Sequence, residues 1–145
     1  MMKRIVLAVA VVALGVTAVV AQSDPIAARK ALMKENNNQG RAVREMVEGK
    51  QPFDLAAAKK AFASFQTASA KLPDLFPESS KAGDTRALPA IWEKPAEFKA
   101  AAAKFGADAK AAEANTKDLD SLKTAFAEVG KNCGSCHQTF RKPQT

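Results

Sequence analysis

Histidine is almost missing from this chain: His137 is the only one in 145 residues, and Cys133 and Cys136 are the only cysteines. That scarcity excludes several kinds of site. A structural zinc centre of the usual Cys/His type needs four ligands, and no further Cys or His is available as the fourth. A disulfide between two cysteines three residues apart would close a loop too small to stabilise much. A thioredoxin-like redox pair needs a strand–helix–strand setting, and no segment alternates apolar and polar residues as a strand would. Beyond residue 21 no stretch is long and apolar enough to span a bilayer. The 22 basic residues exceed the 15 acidic ones, but they are scattered and form no dense block. Nucleic acid is therefore not an expected partner.

The first residues have the pattern of a targeting segment. Lys3 and Arg4 precede an uncharged aliphatic run, Ile5 to Val20, and Val19-Val20-Ala21 supplies the small residues of a cleavage site. Residues 1–21 are expected to be a signal peptide, cut after Ala21. The competing reading, an uncleaved anchor, is weakened by a run shorter than the ~18 apolar residues a spanning helix needs. Residues 22–145 would then form one domain, and without Lys3 and Arg4 the net charge falls from +7 to +5. A positive exported protein suits an acidic protein face or an anionic membrane surface.

Four helices are predicted in this domain. Asp24-Pro25 opens the first, with Asp as cap and Pro at the first helical position. Ile26, Met33, Gly40 and Val47 follow at intervals of seven, and Gly49 and Pro52 close the helix. Asn36 to Asn38 and Gly40 are weak helix formers in its middle. Asp54 caps the second helix, whose Leu55, Ala58, Phe62, Phe65, Ser69 and Leu72 make a three–four seam ending at Pro73. Residues 73–95 hold four of the seven prolines and read as a long crossover that lays Leu75, Phe76, Ile91 and Trp92 on an apolar surface. The third helix spans about Pro95 to Ala114, with Phe98, Ala101, Phe105, Ala109 and Ala112 inward. Asp118 caps the fourth, whose stripe runs Leu119, Leu122, Phe126, Val129, Cys133, Cys136, Phe140. The expected fold is all-α: an antiparallel four-helix bundle with a long loop between helices two and three.

At 3.6 residues per turn, Cys133, Cys136 and His137 share an arc of about 100° on the last helix, continuing its apolar stripe. A flat apolar ring against that face could be bonded twice and ligated once. Two thiols adding across the two vinyl groups of haem, with the adjacent imidazole on iron, explain the Cys-x-x-Cys-His spacing, which reads as a c-type haem attachment site. His137 then takes one axial position, and bis-His ligation is excluded. The soft ligands left in residues 22–145 are Met33 and Met46. With helices one and four antiparallel, His137 lies ~7 Å from the end of its helix, Met33 ~12 Å from the start of its own and Met46 ~31 Å. Met33 is level with the iron and is the expected second ligand, with Met46 as core packing. Met33 as core packing, beside an open or blocked iron face, is the other reading. Gly40, seven residues after Met33, reads equally as a close approach to the ring and as a tolerated flaw.

The C-terminal Cys-x-x-Cys-His-x-x-Phe-Arg, Cys133 to Arg141, resembles the class II c-type cytochromes, the cytochrome c-prime family. Leu32-Met33-Lys34, the stretch from Lys71 to Pro77 and the Ile91-Trp92 pair look like its low-spin, methionine-ligated branch. The resemblance covers essentially residues 22–145 and implies a four-helix bundle, haem on Cys133 and Cys136, His137 as proximal ligand and Met33 as distal ligand. It places Arg141 near the haem, where a propionate contact and a solvated cation are both open. Trp92 is read either as a haem contact or as packing. The resemblance also allows a homodimer.

The expected protein is a periplasmic electron carrier, not an enzyme, with one covalent haem c and iron bound by His137 and Met33. Its partners would be redox proteins, acidic or membrane-bound. The alternative is a five-coordinate relative that binds small gases such as NO or CO. A haem-free helical interaction domain is a third reading.

Overall fold

The computed structural model describes residues 24–143. The expected signal peptide lies outside the described residues. Four long helices carry the fold: α1 (Pro25–Val47), α2 (Leu55–Lys71), α4 (Pro95–Asn115) and α5 (Leu119–Phe140), with a one-turn helix α3 (Ala90–Glu93) in the crossover. Each expected aspartate cap is in place. Asp24 accepts the Ile26 N–H at 2.9 Å and Asp54 that of Ala57 at 3.0 Å. Asp118 accepts the Ser121 N–H at 2.8 Å while Ser121 Oγ accepts the Asp118 N–H at 3.0 Å, a reciprocal capping box. The Asn36–Asn38 run and Gly40 do not break α1. Its later part is held by tertiary packing, with Val43 and Met46 buried in the core, which outweighs weak propensity.

Helix α2 lies between α1 and α4, and α4 in turn packs on α5; α1 and α5 touch far less. The α2–α4 seam admits close approach because position 106 lacks a side chain. A Cβ on Gly106 would fall 2.2 Å from Ser69 Oγ and 3.1 Å from Ser69 Cβ. Rotating the serine hydroxyl could relieve the first clash but not the second. Gly106→Ala is therefore expected to destabilise the protein by ~1–3 kcal/mol, the usual range for overpacking, despite alanine's better helix propensity. Denaturant melts would check this, and Ser69→Gly should recover part of the loss.

Two buried clusters divide the bundle. One holds Val43, Met46, Phe62, Phe65, Leu122 and Val129 with small alanines of α2 and α4. The other holds Leu72, Ile91, Phe98 and Phe140, with Leu32, Met33, Phe76, Trp92 and Cys136 packed against it. The crossover serves this second cluster. It is not a featureless loop: 3-10 turns at Leu72–Leu75 and Glu78–Ser80 precede α3, with Pro73 and Pro89 at turn starts, where their fixed φ is pre-set. Residues 86–88 then pair antiparallel with the end of α5. The Leu88 N–H donates to Phe140 O at 2.9 Å, and the Lys142 N–H donates to Arg86 O at 2.8 Å.

Candidate haem site

The side chains singled out at the two ends of the sequence meet around one cavity of about 210 Å3. Met33 enters it from α1, and Cys136 and His137 from α5. Its apolar walls are Leu72, Phe76, Ile91, Phe98 and Phe140. Phe98 stacks edge-on with both Phe76 and Phe140, at centroid distances of 4.9 and 5.3 Å, so the walls brace one another. Cys133, one turn before Cys136, is exposed and lies outside the cavity wall. Both cysteines are free thiols. Burial pushes the Cys136 thiol above its ordinary range, the opposite of the low-pKa thiolate that a redox-active C-x-x-C requires. Burial, with the Arg141 and Arg86 charges nearby, lowers the His137 imidazole. A neutral imidazole keeps a nitrogen lone pair free for a metal.

The rim is charged with one sign. Arg29, Lys30, Arg86 and Arg141 line the cavity and no Asp or Glu does. Arg141 Nε is buried and has no hydrogen-bond partner, an uncompensated donor of the kind that marks a missing acceptor. These observations fit haem: an apolar plane for the macrocycle, two thiols and an imidazole on one helix face, and a cationic rim on which Arg141 keeps a donor free for a carboxylate, while Lys30 is paired with Asp84. No group of three or more His, Cys, Asp or Glu side chains able to hold a metal ion by itself occurs among the described residues.

A family model described as Cytochrome C' matches residues 24–141. The chain belongs to the cytochrome c' family. It is 44% identical over 139 residues to cytochrome c' of Rhodopseudomonas palustris, covering 95% of each chain. It is 42% identical over 114 residues to cytochrome c-556 of Agrobacterium fabrum, covering 78% of this chain and 77% of that one. The solved structure of the R. palustris cytochrome c' superposes with a TM-score of 0.81 at 42% identity, over 86% of this chain and all of that one. As a member of the cytochrome c' family the protein is a class II c-type cytochrome with covalent haem c, on the four-helix bundle its helix pattern implies.

The other expected positions fall as follows. Met46 sits in the first cluster, 4% exposed, and its sulfur accepts the Asp54 N–H at 3.3 Å, far from the cavity. A Cβ on Gly40 would meet only Phe65, at an ordinary 3.9 Å. Trp92 stands one layer back from the cavity: its ring packs edge-on against Phe76 and its Nε1–H donates to Phe76 O at 2.9 Å. The indole supports the wall through Phe76 and does not line it. Arg29 was not signalled by any motif. It is 6% exposed, with four hydrogen bonds to the crossover. Its one trace in the sequence is its position four residues before Met33, about 40° away on the same helix face, where a charge is out of place.

Proposed function

We propose that the protein is a periplasmic electron-transfer cytochrome whose haem iron is bound by His137 and Met33. The observation that carries this reading is the convergence of Met33 and His137, from α1 and α5, on one apolar cavity. Cys133 and Cys136 would hold the ring by thioethers, and Arg141, through its unpartnered Nε, would meet a propionate. The haem supplies a one-electron couple. The chain would hold His137 and Met33 in place between oxidation states: Leu72, Ile91, Phe98 and Phe140, which line the cavity, would exclude water and brace the helices that carry the two ligands. A thioether ligand favours the reduced state and raises the potential. No described helix is long and apolar enough to cross a membrane. Export rests on the N-terminal pattern of residues 1–21.

The second reading is a five-coordinate haem that binds small gases, with Met33 packed near an open iron face. The R. palustris relative at 44% identity bears the name cytochrome c', as the family model does, and these names favour this reading; the c-556 relatives do not single it out. The absorption spectrum of the purified protein at neutral pH discriminates. A spectrum that is low-spin in both oxidation states supports methionine ligation, and a high-spin native protein overturns it in favour of gas binding.

The partner surface would be the cavity mouth, where Arg86 and Arg141 stand beside exposed Lys142. Lys131, which also flanks the attachment site in sequence, is paired with Glu128 at 2.6 Å and contributes less. Electron transfer to an acidic partner should slow as ionic strength rises, since exposed charges are screened beyond about 10 Å at 0.1 M salt. Stopped-flow rates that stay flat with salt for every acidic partner would count against this docking face. A homodimer is compatible with this arrangement and is tested by sedimentation.

A further inference from the structure

Arg29 presents an unusual distribution of donors. Four of its five N–H groups are spent on the crossover: Nη1 donates to Leu75 O at 3.1 Å and Ser80 Oγ at 2.9 Å, and Nη2 to Ser80 O at 3.1 Å and Thr85 Oγ1 at 2.6 Å. The guanidinium also stands 4.5 Å over the Phe76 ring. No carboxylate pairs with it, and burial lowers its pKa while more distant Asp24 opposes that shift. The contrast with Arg141 is informative: Arg141 has a donor left for a ligand, whereas the fork of Arg29 is occupied by protein.

The bonds continue beyond Arg29. Thr85 Oγ1 also accepts the Ala87 N–H at 3.1 Å, and residues 86–88 pair with the end of α5 just past His137. Polar contacts therefore run from the turn of α1 that carries Met33, through the crossover, to the segment that follows His137. Phe76, Thr85, Ala87 and Ile91, all on the crossover, form one side of the cavity.

We infer that Arg29 is a positioning residue for the Met33 side of the haem. It clamps the crossover to α1 and so determines how easily an external ligand reaches the iron face that Met33 occupies. This rests on the proposed placement of the ring between His137 and Met33, but the clamp can be tested apart from methionine ligation. The holoprotein variants are Arg29→Lys, Arg29→Gln and Ser80→Ala/Thr85→Val, each made in the native and in the Met33→Ala background. The readouts are hydrogen exchange at the Ala87 and Leu88 amides and the rate of carbon monoxide binding to the ferrous protein.

Arg29→Gln should speed exchange at both amides, and in the Met33→Ala background it should speed carbon monoxide binding by at least about tenfold, the scale of one lost hydrogen bond to a charged group. Arg29→Lys should resemble Arg29→Gln, because an ammonium cannot span three acceptor residues as a planar fork does. Ser80→Ala/Thr85→Val, which keeps the charge and should fold even if the Arg29 variants do not, is read at Leu88 and by gas binding, because Thr85→Val removes the acceptor of the Ala87 N–H itself; it should give a smaller effect that disappears when it is combined with Arg29→Gln. Rescue by lysine would reduce the effect to charge alone and overturn the clamp. So would unchanged Leu88 exchange and gas kinetics in the Ser80/Thr85 variant, or effects that simply add to those of Arg29→Gln. Failure of the ligation reading shows separately, as a Met33→Ala spectrum identical to that of the native protein.

Discussion

Met33→Ala should change the protein from largely low-spin to largely high-spin, speed its reaction with carbon monoxide and lower its reduction potential. Alanine cannot reach the iron, and neither of the chain's other ligand types can replace the lost sulfur. The single histidine would already be committed to the opposite bond, and Met46 lies in the other buried cluster with its sulfur engaged by the Asp54 N–H. Met46→Ala is the matched control. It should keep the native spectrum and lose ~2–5 kcal/mol of stability, as expected for a buried methionine side chain removed from a packed core. Visible spectra, flash-photolysis rebinding and a redox titration of the two variants check the pair. If the Met33 variant is spectroscopically native, the sulfur is packing, and the function moves to gas binding.

An equally large effect is expected at the other face. Cys133→Ala/Cys136→Ala should abolish covalent attachment, so that acid–acetone extraction removes all haem from the polypeptide, whereas the native chain should retain one haem per molecule by mass spectrometry. The single variants should differ. Cys136 lines the cavity and is half-buried, while Cys133 is exposed one turn away. Cys136→Ala removes the thiol that already lines the cavity and should reduce holoprotein yield more than Cys133→Ala. Equal yields would show that the free-thiol geometry does not govern attachment.

Much of this arrangement was legible in local sequence because the signals are local. Asp24, Asp54 and Asp118 mark helix starts by a hydrogen bond spanning two or three residues, and Pro73 marks an end for steric reasons, so boundaries could be placed closely. The attachment motif is equally local, five residues within one and a half turns. Met33 could be singled out because soft ligands are few and helical rise converts sequence distance into height. What could not be read depends on distant pairing. The bridge between Ala87 and Arg141 joins segments 54 residues apart in number and leaves no periodic trace. Trp92 follows buried Ile91 in the one-turn helix, and nothing in that pair reveals that Phe76 would stand between the indole and the cavity. Arg29 escaped notice for a related reason. A lone arginine on a helix reads as a solvated surface residue until its partners, 46 to 56 positions away, are known.

The division of the interior into two buried clusters has a consequence for maturation. The cluster around Phe62, Leu122 and Val129 is closed by protein atoms alone. The cluster around Ile91, Phe98 and Phe140 borders the cavity and lacks a neighbour on that side until the ring arrives. Before attachment, stability would thus be unevenly distributed: complete in the closed cluster, and lower in the cluster that borders the cavity, where the crossover is held by polar contacts to α1 and to the end of α5. Attachment would then act as the closing step of folding, supplying the last packing contacts to the cluster that borders the cavity.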